Sequence, residues 1–449
     1  MLEEEKKEEL LALLTGKKYR ELKSQLVEMN EVDIASFIEE LDSEKTVVVF
    51  RMLPKELASE VFACLEVEQQ QHIITSITDN ELRAIIDDLY VDDAVDMLEE
   101  LPATIVRRVL QNSSPDTRKL INQFLNYPEN SAGSLMTIEY VDLHDYFTVR
   151  KAMDYIRRTG IDKETVYTCY VIDDQRRLVG QVSLRKLIIA PESACIRDIM
   201  DTNIVSAATT DDQEAVADDF RRYDLTSIAV CDKEGRLVGI ITIDDIVDVI
   251  QDENTEDIKK MAAIIPSDED YMKTSVWSLV AHRLPWLMLL MISATFTSTI
   301  ITHFETLLSG AVLLTAFIPM LMDSAGNSGS QTSVTVIRNL ALGEIELRDW
   351  PHVLVKEIGV AVVSGAALAL VNFLRIIIFT STSMMIAAVV SVTLFCTVII
   401  AMIVGCLLPI GAKKLGFDPA VMASPMITTI VDACSLMIYF LIATSMLGL

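Results

Sequence analysis

Positive charge is scarce in this chain. Its 449 residues hold 38 Lys and Arg against 65 Asp and Glu, a formal net charge of −27. Nucleic acid needs a basic footprint, so it is excluded as a partner. The seven cysteines (Cys64, Cys169, Cys195, Cys231, Cys396, Cys406, Cys434) form no Cys-x-x-Cys pair. That argues against a disulfide framework or a zinc site and leaves reduced packing residues. The five histidines are remote from one another in sequence, and no G-x-x-x-x-G-K-[ST] phosphate loop occurs. A membrane-bound phosphotransferase would need such features, so no enzyme is expected. The opening MLEEEKKEELLALL has no basic stretch ahead of an apolar run. No cleavable export signal is therefore expected, and the first 283 residues are expected in the cytosol.

The charge that is present is unevenly shared. From Leu284 onward there are six Lys/Arg and eight Asp/Glu, leaving 32 and 57 before it, so the first part carries −25 and the last 166 residues −2. About 20 apolar residues cross a bilayer as a helix. Such runs fall at about 284–304, 310–337, 357–379, 384–411 and 420–447, the third and fourth parted by the polar TSTS of 380–383. Loops on the cytosolic side then hold Arg283, Arg338, Arg348, Lys356, Lys413 and Lys414, against Arg375 alone outside. This agrees with the positive-inside rule. A multi-pass protein of the cell (inner) membrane is expected, amino terminus cytoplasmic and carboxyl terminus outside, with lipid around its spans.

Two acids interrupt the apolar spans. A carboxylate at membrane depth costs roughly 2.5–3.5 kcal/mol even on lenient scales, so it needs a partner, a proton or a watery cavity. Asp432 sits near the middle of the fifth span, with the nearest charge before it at Asp418. Two readings fit: a cation-facing pore carboxylate, or a hydrogen-bonded packing residue. Asp323 lies in FIPMLMDSAGNSGSQTSVTVIRN, where Pro319, Gly326 and Gly329 imply either a broken helix or a closely packed one. Asn327, Ser328, Ser330 and Gln331 add neutral oxygen ligands.

Two repeats organise the first part. Leu41, Leu53, Leu65, Ile77, Leu89 and Leu101 recur every 12 residues, each followed by a turn or cap residue and then acids. One short helix per 12 residues stacks into an all-α superhelical domain over 1–130. Within it Asp88, Asp92 and Asp96 share one helix face, either as a solvated face or as a cation site. The second repeat spans 131–255 as two copies, about 131–195 and 196–255, in which TCYVIDDQRRLVGQVSLRKLI realigns on SIAVCDKEGRLVGIITIDDIV. Each reads as β-α-β-β-α. The pair resembles tandem cystathionine-β-synthase-type (CBS) domains, α/β modules that often sense adenine nucleotides; Thr242 and Asp245 resemble the ribose and phosphate contact, so ATP is a possible ligand of the pair. An acidic connecting helix at 256–280, reading as helix from about 252 to 268, leads into the membrane domain of 281–449. Its self-repulsion calls for an oxygen-seeking counter-ion, Mg²⁺ first.

Superhelix, CBS pair, acidic connecting helix and five spans in this order resemble the MgtE family of magnesium channels and transporters over essentially the whole chain. The most specific stretches are Pro319-x-x-x-Asp323-x-x-Gly326-Asn327-x-x-x-Gln331, Asp418-Pro419-Ala420 with Pro425, and Asp432 in TIVDACSLMIYF. Ser330 departs from the amide side chain expected at its position. The resemblance implies a homodimer with a pore along its interface, lined by Asp323, Gly326, Asn327, Gln331, Asp418 and Pro425, and selecting hydrated Mg²⁺ at Asp432. It also implies a magnesium sensor built from Asp88 and Asp92; from Asp212, Glu214 and Asp224; and from Asp245, Asp248, Glu253, Glu256 and Asp257. Mg²⁺ bridging these acids would close the pore, and its loss would let them push apart. The alternatives are a CBS-regulated transporter of another divalent cation such as Co²⁺, and a Mg²⁺ sensor that transports nothing.

Overall fold

The computed structural model describes residues 4–267, 271–272, 274–304, 312–380, 382–422 and 424–447. It divides into two compact units, Met1–Ile250 and Gln251–Leu449.

The first unit begins with ten helices: α1 (Glu4–Thr15), α2 (Tyr19–Leu26), α3 (Glu31–Glu39), α4 (Ser43–Phe50), α5 (Lys55–Ala63), α6 (Val67–Ser76), α7 (Asp79–Ile86), α8 (Val91–Glu100), α9 (Ala103–Asn112) and α10 (Pro115–Phe124). From α4 on, each helix starts 12 residues after the last, as the leucine spacing predicts. The recurring apolar residue ends each repeat: Leu53, Leu65, Ile77 and Leu101 are buried, and Leu41 and Leu89 pack against the same core. The residue after it caps the next helix. Asp42 and Ser114 accept backbone N–H groups, and Thr78 forms a capping box with Glu81.

Two β-α-β-β-α modules follow. The first holds α11 (Ala132–Leu135), β1 (Asp142–His144), α12 (Val149–Thr159), β2 (Thr168–Ile172), β3 (Leu178–Ser183) and α13 (Leu184–Ile189). The second holds α14 (Ile196–Ile199), β4 (Ser206–Ala208), α15 (Gln213–Tyr223), β5 (Ser227–Cys231), β6 (Leu237–Thr242) and α16 (Ile243–Met261). In each sheet the first strand runs parallel to the second and the second antiparallel to the third, with a register shift at the same place, Val171/Ile172 and Val230/Cys231. The modules interlock through reciprocal backbone pairs, Thr137 with Ile240 and Asp201 with Gln181. Gly239 and Gly180 make this possible, since a Cβ at either would strike the sulfur of Met136 or Met200.

The second unit takes the carboxy-terminal half of α16 and five long helices: α17 (Val276–His303), α18 (Ile318–Ala341), α19 (Trp350–Phe379), α20 (Met384–Lys414) and α21 (Ser424–Leu447). Helices α17, α19, α20 and α21 are long and apolar enough to cross a membrane; polar residues leave α18 less apolar. Helix α20 is the hub, with α18, α19 and α21 packed around it. Two sequence expectations change here. The second span, expected at 310–337, forms a short 3-10 helix at Val312–Phe317 and then an unbroken α18 displaced toward the carboxyl end; 305–311 lie outside the described residues. Its glycines serve packing: a Cβ on Gly405 of α20 would stand 2.3 Å from the Gly329 carbonyl oxygen. The connecting helix ends at Met261, because Ala263 turns the chain into the left-handed region at φ 54; 268–270 lie outside the described residues.

Candidate ion path and cation-sensing surfaces

Helix α18 has two faces. Leu321, Ala325, Gly326, Gly329, Thr332, Ser333, Val336 and Leu340 are buried, while Asp323, Asn327, Gln331 and Thr335, four residues apart, are exposed. A step of four overshoots one turn by about 40°, so these side chains form one slowly winding polar stripe. Lipid cannot satisfy such a stripe, which calls for water or another polar surface. Asp432, half-buried on α21, lies within electrostatic reach of Asp323. Gly326, expected to line the path, instead faces Thr428 of α21, 3.2 Å from where a Cβ would sit. The Pro425 carbonyl accepts the hydroxyls of Thr428 and Thr429 at 2.9 and 3.0 Å. Asp418 caps the turn at Pro419–Met422 through the Ala420 N–H, 2.8 Å, and accepts Lys260 Nζ at 2.7 Å. A contact that residue spacing does not reveal ties α18 to α19: the buried Thr332 hydroxyl donates to Glu357 at 3.2 Å.

In the first unit the acids are pressed together. Asp92 and Asp93 open α8, where a helix amino terminus favours carboxylates. Asp92 Oδ1 is sealed from solvent with no hydrogen-bond donor. Burial, then repulsion from Asp93, Asp245, Glu139 and Glu164, holds the Asp92 carboxyl well above the usual range. Burial and Asp245 push Asp93 to about 6, and burial with Asp244 and Asp245 pushes Glu164 to about 7. Asp245 is raised chiefly by burial, against the hydrogen bond it accepts from the Thr242 hydroxyl at 3.0 Å. The Thr137 hydroxyl, 2.6 Å, and the Ile138 N–H, 3.0 Å, orient Glu139. Asp93, Glu139 and Glu164 were not expected at this site. Asp88 was, yet it accepts Lys55 Nζ at 3.0 Å and the Ser59 hydroxyl at 2.8 Å within the superhelix.

The remaining acids are dispersed. Asp212 caps the start of α15, accepting the Glu214 N–H, and Asp224 ends it in a left-handed conformation at φ 50. Twelve residues separate them, about 18 Å along a helix, so one chain does not bring them to one ion. On α16, Asp245, Asp248, Glu256 and Glu253, Asp257 recur at helical spacing. The first module differs in charge: Arg150 and Lys151 begin α12, where α15 begins with Gln213 and Glu214. Where the second module has Thr242 and Asp245, the first has Ser183, capping Lys186 N–H, and a Lys186 ammonium bound to Asp201 at 2.6 Å.

Among the described residues, no three His, Cys, Asp or Glu side chains are grouped closely enough to hold a bare metal ion. Mg²⁺ dehydrates reluctantly, keeps several waters and is commonly held by one or two carboxylates. The unpartnered Asp92 oxygen and its all-carboxylate neighbours fit such a hydrated ion.

Comparison with known proteins accounts for this layout. The MgtE model, "divalent cation transporter", matches residues 318–442; the MgtE intracellular N domain matches 29–130, and CBS domains match 132–193 and 196–252. A magnesium transporter MgtE of Thermus thermophilus is 35% identical over 432 residues, 95% of each chain. The chain belongs to the MgtE family. A Bacillus subtilis MgtE magnesium transporter is 31% identical over 97% of this chain and 96% of its own. A solved MgtE cytosolic domain, that of a Mg²⁺ channel in complex with ATP, superposes with TM-score 0.51 at 38% identity, covering 54% of this chain and 98% of that one. Its extent matches the superhelix and CBS pair, so the MgtE architecture of an N domain and CBS pair followed by a helical membrane domain holds here.

Proposed function

We propose that the protein carries Mg²⁺ across the cell membrane down its electrochemical gradient and is closed by Mg²⁺ bound to its cytosolic acids. One observation carries this reading: a membrane helix with an exposed stripe of Asp323, Asn327 and Gln331, within electrostatic reach of Asp432 on the neighbouring helix. A stripe left open in one chain is covered most simply by a second copy, its stripe facing the first across a wet path. Exposed Ile188 and Ile189 in the first CBS module, and Val247 at the repeat-equivalent position in the second, support a homodimer. Amides and carboxylates suit a hydrated ion, since they bind its waters rather than strip them. The membrane potential contributes about 2.3 kcal/mol per charge per 100 mV, so entry of a divalent ion needs no ATP hydrolysis.

Gating follows from the acids. Asp92, Asp93, Glu139, Glu164 and Asp245 repel one another in the compact arrangement; a bound cation removes the repulsion and favours that arrangement over a looser one. Only such differential affinity shifts a conformational equilibrium. Asp212, Glu214, Asp224, Asp248, Glu253, Glu256 and Asp257 are the further sensing candidates, with Asp88 weakest because Lys55 already neutralises it. ATP binding at the CBS pair, with Thr242 and Asp245 as contacts, is supported by the related ATP complex. The excess of Lys and Arg in alternate loops supports a cytoplasmic amino terminus and an outside carboxyl terminus.

Purified protein in vesicles with an entrapped Mg²⁺ dye tests the proposal. Mg²⁺ entry that Asp432→Ala removes is the expected result; vesicles tight to Mg²⁺, Co²⁺ and Mn²⁺ alike would refute transport.

A further inference from the structure

The carboxy-terminal half of α16 lies against the ends of the membrane helices, and at the turn before α21 acid meets acid. Residues 251–261 carry Asp252, Glu253, Glu256 and Asp257. The turn they meet presents Asp418; burial, and then repulsion from Asp418, raises the Asp257 carboxyl above its usual range. Yet the contact is made. Met261 packs with Ile337 and Ala420, and Arg338 reaches Asn254 at 3.4 Å. At its centre Lys260 Nζ lies 2.7 Å from Asp418 Oδ2 and 2.6 Å from Glu256 Oε1. Neither end of this bridge is loose. Asp418 Oδ1 is fixed by the Ala420 N–H, and Glu256, one turn before Lys260 on the same helix, aims the ammonium. The next residue back, Lys259, donates to the Ser267 carbonyl, and the Ile265 N–H donates to the His282 carbonyl of α17 at 3.0 Å, so the contact continues into the first span.

We infer that Lys260 is a built-in counter-ion for this contact, a tethered ammonium standing between Asp418 and the acids of α16 where an untethered surface would require a divalent cation. The inference rests on the proposed gating by Mg²⁺ and refines it: closure at this contact begins without metal, and Lys260 is a positioning residue that lowers the Mg²⁺ concentration needed to complete it. Burial works against the ammonium, but its hydrogen bonds to Asp418 and Glu256 outweigh that, and Lys260 holds its proton more firmly than an ordinary lysine. Among the described residues no lysine or arginine pairs with Asp92, Asp93 or Asp245, so that group depends on metal.

The test compares full-length wild type with Lys260→Gln and Lys260→Arg. Hydrogen exchange of residues 251–261 and 419–422, measured in chelator, reads the tether independently of any transport. Exchange about tenfold faster in Lys260→Gln is expected, as for loss of a hydrogen bond to a charged group, with Lys260→Arg close to wild type. Mg²⁺ entry into vesicles then reads function: Lys260→Gln should require several-fold more Mg²⁺ to close, and Lys260→Arg should restore the wild-type threshold. Exchange and threshold both unchanged in Lys260→Gln would overturn the inference while leaving transport standing. Wild type that never conducts, yet loses protection on Lys260→Gln, would overturn the proposed function and leave the tether.

Discussion

Acids occupy two kinds of place in this molecule, and burial separates them. In the first unit Asp92, Asp93, Glu139, Glu164 and Asp245 meet from the superhelix and both CBS modules, half-buried; burial and the surrounding acids make Asp92, Asp93, Glu164 and Asp245 hold protons more tightly than free side chains. On the membrane helices Asp323 is exposed with Asn327 and Gln331 at four-residue intervals, and Asp432 flanks it. The first group stores repulsion, which a bound cation can release, and this suits a switch. The second offers an open row of oxygen donors, and this suits a path. One residue type suits two different jobs because its surroundings differ.

The sharpest way to break the comparison is Asp432→Ala. In a dimer it removes two carboxylates from the path, each worth about 1.5–3 kcal/mol to a charged partner, so Mg²⁺ entry should fall by about a hundredfold or more. The cytosolic response to Mg²⁺, followed by protease protection, should stay as in wild type. A variant that conducts normally removes Asp432 from the path.

Geometry rather than charge sets up the membrane side. Gly405→Val places a side chain against the Gly329 carbonyl, where a bare Cβ already stands at 2.3 Å. Helices α18 and α20 must separate, at a cost of about 1–3 kcal/mol or more. A lower melting temperature in detergent is expected, whereas Gly411→Ala, with nothing within 4 Å, should change little. Equal melting of the two variants would disprove the close crossing.

On the cytosolic side the sign reverses, because neutral isosteres should stabilise. Asp93→Asn with Glu164→Gln removes repulsion that the compact unit otherwise carries. Without Mg²⁺ the double variant should gain about 1–2 kcal/mol in thermal unfolding of full-length protein, a discounted reading of shifts to about 6 and 7. Its response to added Mg²⁺ should shrink correspondingly. Loss of stability would mean that these groups are held by donors rather than by mutual repulsion.

Much of this architecture is legible in the order of residues alone. The 12-residue leucine spacing marks the helices of the superhelix because one capped helix and its turn consume that length, and Arg177-Leu-Val-Gly180 over Arg236-Leu-Val-Gly239 marks paired hairpins because both follow the same turn. What periodicity cannot reveal is which residues meet across elements. Asp88 and Asp92 share a helix-face spacing, yet Asp88 lies just past the end of α7 and binds Lys55 and Ser59, while Asp92 begins the next helix and meets Asp93, Glu139 and Glu164. Glycines in the second span fit either a broken or a packed helix, and only the carbonyl facing Gly405 decides between them. Lys260 looks like background in an acidic run; its meaning lies in Asp418, 158 residues away.

The smallest expected effect is a dependence on pH, and its direction discriminates. Asp93 and Glu164 bind protons more tightly in the folded unit, near 6 and 7, than the 3.8 and 4.5 of free side chains. Between those values the folded state holds more protons than the unfolded one, so stability without metal falls as pH rises from about 4.5 to 7 and levels off above. A salt-bridged acid would do the opposite and lose stability as pH falls. Mg²⁺ competes with protons for the same carboxylates, so the stabilisation it brings should be small at pH 5 and largest near pH 8. Melting curves at several pH values, with chelator and with millimolar Mg²⁺, should therefore converge in acid and diverge in base; curves that stay parallel would mean that the metal acts away from these acids.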